Sequence, residues 1–285
     1  MSLNNNSSQL RIVSDYVDFD KNKPDGIFIN INKKNIYKCH ALIVGPKNTP
    51  YFGGFYLFEI NFPKNYPLES PSLKMLTIDG KIRFNPNLYE NGKVCLSILG
   101  TWAGPGWSRV MTLRTVLLSV QSLFSEFPIR NEPGLEEVDE SNAKNINYNN
   151  FINFYNLKLG IINILHNILI LENNNESTNI RKKSVNSKGK VKILKNKNNY
   201  IDKFLENNEI VIIKESLFFK EEILNQFKNN YEEINGNIKS LQIILGEIHF
   251  NRVVYFLPDK NHLDFILLNE HFDNLCEELK KMNIF

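Results

Sequence analysis

The chain has 285 residues, 42% of them hydrophobic and 23% charged. That balance supplies a core and excludes wholesale disorder. A net charge of only +3 gives no ground for a nucleic-acid or membrane partner.

Three cysteines, Cys39, Cys95 and Cys276, make no C-x-x-C pair. This argues against a disulfide framework and a cysteine-rich zinc site. The start, Met1 to Asn6, shows neither a basic n-region nor an apolar h-region, so a reducing cytoplasmic or nuclear compartment is expected. His40, His166, His249, His262 and His271 have no metal-ligand spacing. No metal or organic cofactor is expected.

In chain order, Gln9 to Phe19 reads as a short helix. Gly26 to Asn32, Ile36 to Val44, Phe55 to Phe62 and Leu73 to Ile78 read as strands separated by turn signals, which predicts an antiparallel meander. The third is apolar on both faces at its start, as a central strand would be. Ten of the eleven prolines lie at or before Pro133, and proline punctuates short elements. Thr112 to Phe127 has helical spacing, with Thr112 as N-cap. Asn150 to Glu172 reads as a second long helix. Its apolar stretch, Leu159 to Leu171, falls short of the roughly 20 residues a membrane span needs. Residues 173–199 read as a basic, Asn-rich linker, with eight Lys or Arg and no acid from Arg181 to Asn198. No aromatics interleave there, which weakens a nucleic-acid reading. Residues 200–285 read as a mostly helical extension. Tyr200 to Ile213 and Leu217 to Tyr231 are helical or mixed, Leu241 to Leu257 is ambiguous, and Asp264 to Met282 is helical. The extension has enough apolar residues to pack onto the first domain.

The chemistry concentrates between Arg83 and Leu99. Asn91-Gly92 is a turn signal and Asn85-Pro86-Asn87 an irregular polar segment. Such a loop sets Cys95 beside amide donors. A thiol near a donor is what acyl transfer requires: a nucleophile and a partner for the developing oxyanion. Composition alone also allows Cys95 to be a small core residue between Val94 and Leu96.

This stretch resembles the active-site signature of ubiquitin-conjugating enzymes, in which a Pro-Asn pair precedes the catalytic cysteine by eight residues, as Asn87 precedes Cys95. Gly45-Pro46, Thr49 to Tyr56 and Phe62 to Pro67 resemble the family's strand-turn-strand segments. Trp107-Ser108 and Asn131-Glu132-Pro133 stand where the family has its Trp-Ser pair and its acidic-Pro loop. The resemblance covers about residues 8 to 170. It implies an α/β (α+β) ubiquitin-conjugating domain over 8–172, with a four-stranded antiparallel meander flanked by helices. The long loop after Cys95, the Asn-Glu-Pro-Gly and the C-terminal extension resemble a large type within the family.

By this resemblance Cys95 is the nucleophile that holds the modifier as a thioester. Asn87 stabilises the oxyanion or the loop, and Glu132 orients or deprotonates the incoming lysine. Asn85, Pro86, Tyr89 and Ser97 belong to the active-site loop. Pro67, Leu68, Trp107, Ser108 and Arg109 are ligase-contact candidates. The expected partners are ubiquitin or a ubiquitin-like modifier, an activating enzyme, a ligase and a substrate protein. Three departures stand out. Asn85 replaces the family's usual histidine, Arg109 replaces a proline, and Leu68 replaces a common phenylalanine. The last two put ordinary ligase pairing in question. The first helix carries Arg11 but also Asp15, Asp18 and Asp20, which leaves room for a non-standard activating enzyme. Two rivals are a catalytically inactive binding module of the same fold and a Cys–His thiol hydrolase, which would need His40.

Overall fold

The computed structural model describes residues 2–176, 213–251 and 260–281. The basic run, and the reading of Tyr200 onward up to residue 212, lie outside the described residues. Four strands, β1 (Ile27–Ile31), β2 (Lys38–Val44), β3 (Phe55–Asn61) and β4 (Ser72–Met75), form one antiparallel sheet in sequence order. The register pairs Ile29 with Ala41, Ala41 with Phe58, and Phe58 with Met75. Phe55 to Phe58 are all fully buried, so β3 is central as expected. Strand β4 stops at Met75, short of Ile78. The Thr77 hydroxyl there takes the place of a ladder partner, accepting from Leu57 N (2.9 Å) and donating to Phe55 O (3.1 Å).

Helix α1 (Ser2–Lys21) and helix α2 (Leu113–Gln121) are tied together by an acid. The buried Asp15 carboxylate accepts from Leu113 N (3.0 Å) and from the Tyr66 hydroxyl, and pairs with Arg11 (2.8 Å). Asp18 is held by Arg114 (3.0 Å). Asp15 is thus committed to buried partners, while Asp18 sits in a partly exposed pair. Thr112 caps α2 in a capping box with Thr115. The helix ends at Gln121 rather than Phe127, because the chain tightens into turns at Leu123 and Phe124. The Leu123 carbonyl is thereby freed for Asn85.

Helix α3 (Ala143–Tyr155), capped by Asn142, runs through π-helical turns (Asn156–Ile162) into α4 (Asn163–Glu176). It starts seven residues before the expected Asn150. The π turns coincide with Asn156, whose side chain donates to Phe52 O (2.9 Å) and accepts from the Tyr56 hydroxyl (2.6 Å). Gly54 makes room for it, since a Cβ there would sit 1.8 Å from Asn156 Oδ1. Residues 143–171 are long and apolar enough to cross a membrane by length and composition, but 83% of the most apolar window is buried in the protein.

The C-terminal part joins the same core. A 3-10 turn (Lys214–Phe219) leads into α5 (Lys220–Leu245), a hairpin of β5 (Glu247–Asn251) and β6 (Lys260–Asp264), and α6 (Phe265–Lys281). The ambiguous stretch from Leu241 thus begins as helix and turns into strand after Gly246. Residues 252–259 lie outside the described ones. Ile213 N donates to Asn167 Oδ1 of α4 (2.8 Å), and Phe265 meets Phe154 of α3 edge-on at 5.3 Å. His40 of β2 packs against Phe218 at 5.1 Å and lies 3.8 Å from Glu59. It is a sheet residue buried under the extension.

Candidate active site

The loop after the sheet is built around Asn85, which is fully buried. Its Nδ2 donates to Leu123 O (2.9 Å), and its Oδ1 accepts from Asn87 N (2.9 Å) and from Asn131 Nδ2 (3.3 Å). One side chain thereby joins the end of α2, the Pro86-Asn87 segment and the loop that carries Glu132. Asn87 and Cys95 are bound to each other twice. Cys95 N donates to Asn87 O (2.8 Å), and Asn87 Nδ2 donates to Cys95 O (2.7 Å). In this arrangement the Asn87 amide is engaged with the Cys95 carbonyl and so holds the loop.

The Asn91-Gly92 turn closes the segment between them. Gly92 has φ of +87°, and a Cβ there would lie 2.5 Å from Met75 O, so the turn requires glycine. Gly92 N donates to Tyr89 O (2.9 Å) and Tyr89 N to Lys93 O (3.0 Å). On the far side of the cysteine, the Thr101 hydroxyl donates to Val94 O (2.8 Å) and accepts from Leu96 N (2.9 Å), clamping both neighbours of Cys95. Sequence reasoning missed Thr101; its spacing carries no signal of its own.

Tyr89 places its side chain against the Cys95 thiol. Partial burial raises its phenol, the thiol beside it adds to this, and Arg83 opposes it. Arg83, also missed from sequence, is buried. Its Nη2 donates to Pro86 O (2.5 Å), and its guanidinium lies 3.5 Å from the centre of the Tyr89 ring. Glu132 is half-buried, and that burial raises its carboxyl above the usual range; Arg83 pulls it down and Glu136 pushes it up. Glu132 therefore shares an electrostatic neighbourhood with Arg83, whose ring partner is Tyr89.

All three cysteines are buried. Burial pushes Cys39 and Cys276 up to about 12. Cys95 is the thiol that sits on a loop among polar side chains. Ser97 opens the 3-10 turn Ser97–Leu99, and the loop folds back on it so that a Cβ at Gly104 would lie 3.2 Å from Ser97 Cβ.

The ligase-contact candidates divide. Trp107 Nε1 donates to Pro67 O (2.8 Å), so these two are joined. Leu68 is 55% exposed, and Ser108 and Arg109 are exposed. Arg109 is fastened by its carbonyl, which accepts from Arg11 Nη1 (2.9 Å). Among the described residues no group of three or more His, Cys, Asp or Glu could hold a metal ion.

Comparison with known proteins places this geometry in a family. The family model for ubiquitin-conjugating enzymes matches residues 11–155. Ubiquitin-conjugating enzyme E2 Z of Xenopus tropicalis is 44% identical over 161 residues, covering 56% of this chain and 51% of that protein. E2 Z of Homo sapiens is 43% identical over 157 residues, covering 55% and 44%. Among solved structures, human ubiquitin-conjugating enzyme E2 G1 matches 41% of this chain and 93% of its own, at 31% identity and a TM-score of 0.37. The chain spans about half the length of the E2 Z relatives it matches. With a family model spanning half of its length, the chain belongs to the ubiquitin-conjugating enzyme family, and it resembles the E2 Z type within it.

Proposed function

We propose that this chain accepts ubiquitin, or a ubiquitin-like modifier, from an activating enzyme as a thioester on Cys95 and passes it to a lysine amine. The observation that carries this reading is the double hydrogen bond between Asn87 and Cys95, with Tyr89 against the thiol. It fixes a cysteine on a loop beside an amide donor and a phenol, the arrangement acyl transfer uses.

In the first step the Cys95 thiolate attacks the carbonyl carbon of the activating enzyme's thioester, and the activating cysteine leaves as thiolate. In the second, a neutral lysine amine attacks the new thioester. A C–N bond forms, the C–S bond breaks, and the electron pair returns to Cys95. Glu132 receives or orients the amine proton. Asn87 serves the oxyanion if its amide turns from the Cys95 carbonyl; losing one such donor costs about 2.7–4 kcal/mol in the transition state. The ligase docks in this reading on the surface of Pro67, Leu68, Trp107, Ser108 and Arg109. A reducing cytoplasmic or nuclear compartment suits a free nucleophilic thiol.

The test is a non-reducing gel after incubation with ubiquitin, ATP and each of two activating enzymes. A thiol-sensitive band is expected, absent from Cys95→Ala and converted by Cys95→Ser into a thiol-resistant oxyester. A band that survives Cys95→Ala removes the assignment. No band with ubiquitin or with a ubiquitin-like modifier removes the enzymatic reading and leaves a binding module.

A further inference from the structure

Arg83 calls for an explanation, because a buried cation is costly unless its charge is answered. Its guanidinium meets three parts of the site. It donates to the Pro86 carbonyl at 2.5 Å. It lies flat enough on Tyr89 to bring its central carbon 3.5 Å from the ring centre, while the Lys93 ammonium lies 5.4 Å from the same ring. Its charge also acts on Glu132, some fifty residues away in the chain. The buried Tyr148 hydroxyl of α3 feels both charges, and the Pro86-Asn87 segment that Arg83 holds is joined through Asn85 to Asn131, the neighbour of Glu132.

We propose that Arg83 is a positioning residue for lysine attack on the Cys95 thioester: it fixes the loop that bears Asn87 and Tyr89 and sets a permanent positive charge beside the Glu132 carboxylate. This rests on the function proposed above. The stack on Tyr89 orients the ring whose side chain meets the thiol. The charge favours the carboxylate form of Glu132, which burial and Glu136 both oppose. It also disfavours the ammonium form of an arriving lysine, so the amine that reaches the thioester is neutral. Nitrogen then bonds to the carbonyl carbon, sulfur leaves with the electron pair, and the amine proton passes to Glu132 and on to solvent.

The experiment starts from purified, ubiquitin-charged protein, so that the charging rate drops out. Discharge to free lysine is followed in single turnover between about pH 6 and 9, where a general base near neutrality shows its limb. Arg83→Met is expected to move the acid limb upward by about one pH unit, the range of one neighbouring opposite charge. Below the limb that is about a tenfold loss; above it the loss is smaller. Arg83→Lys keeps the charge and is expected to keep the limb in place, with a lower rate because an ammonium does not make the flat stack. Tyr89→Leu removes the stack together with the phenol that meets the thiol but keeps the Arg83 charge, and should lower the rate at every pH with the limb unmoved. Glu132→Gln should remove the Glu132 limb and leave only the steady rise with pH that deprotonation of the lysine amine gives. If Arg83→Met slows discharge without moving the limb, or if Arg83→Lys moves it equally, the inference is overturned. If the wild-type chain forms no thioester, the proposed function falls and this inference with it. A thioester that never discharges to lysine overturns lysine transfer itself.

Discussion

Asn85 offers the sharpest test of how the site is held. The sequence places it where the family has histidine, and the structure gives it a packing task rather than a chemical one. Two of its hydrogen bonds are short and fully buried, to Leu123 O and from Asn87 N, both at 2.9 Å. The contacts at 3.3 Å and 3.5 Å, to Asn131 and Tyr51, are longer and add less energy, though the first still ties in the loop that carries Glu132. Asn85→Ala leaves a carbonyl and an N–H buried without their partner, at roughly 1–3 kcal/mol each. The expected loss of stability is therefore about 3 kcal/mol, to be read as a shift in the urea midpoint at constant slope. Asn85→Asp keeps the acceptor for Asn87 N but turns a carboxylate oxygen toward the Leu123 carbonyl, so it is expected to be no better than alanine at neutral pH. Asn85→His has one ring nitrogen to donate and one to accept, and is expected to lose less than either. In surviving variants, discharge of the Cys95 thioester should slow in the same order, because Asn87 N is what Asn85 positions. An Asn85→Ala protein within about 1 kcal/mol of wild type would refute the reasoning, since two buried groups would then have found other partners.

Two further outcomes follow from packing and burial. Gly54→Ala must displace the Asn156 side chain from its bonds with Phe52 O and Tyr56, and is expected to cost roughly 3 kcal/mol or more in urea unfolding; Asn156→Ala should relieve part of that loss in the double variant, and simple additivity would count against the clash. Burial lowers the His166 imidazole to about 3, with the nearby His271 adding to the effect. Below about pH 6.5 the unfolded chain binds a proton there that the folded chain refuses, so this contribution is intact above that pH and is lost progressively down to about pH 3. At pH 5 the loss should be about 2 kcal/mol, and His166→Leu should flatten the acid side of the pH–stability curve; an unchanged curve would mean that other groups set it.

The meander was legible because alternation and turn residues are local properties, and the strands fell within a few residues of expectation. The ends were not. Strand β4 stops early because a hydroxyl from Thr77 satisfies Leu57, and α2 stops early at the turns that present Leu123 O to Asn85. In both cases the deciding partner lies 20 or more residues away in the chain. The same distinction governs the site. Cys95, Asn87 and Tyr89 could be read from one contiguous stretch and its resemblance to a family. Arg83 stood in that stretch unremarked, because its influence on Glu132 is a product of the fold and not of sequence spacing. The structural task of Asp15 was hidden for the same reason: its partners, Leu113 and Tyr66, come from other parts of the fold.

The extension is tied to this site through a single helical rod. Helix α3 carries Tyr148, whose hydroxyl feels the charges of Arg83 and Glu132, and the same rod, after the π turns, becomes α4. The extension grips it at Asn167 by the Ile213 N–H and at Phe154 by Phe265. It also presses on the turn before β3, where a Cβ at Gly53 would lie 2.7 Å from Ile234 Cδ1. Gly53 directly precedes Gly54, the residue that admits Asn156 and so permits the π turns. The contacts that seat the extension and those that set the course of the helix behind the site therefore meet at two adjacent glycines. A substituent at Gly53 has to displace the end of the Ile234 side chain of α5, and one at Gly54 has to push away Asn156. In this fold the packing of the extension and the placement of Tyr148 beside Arg83 and Glu132 are consequences of one set of close approaches.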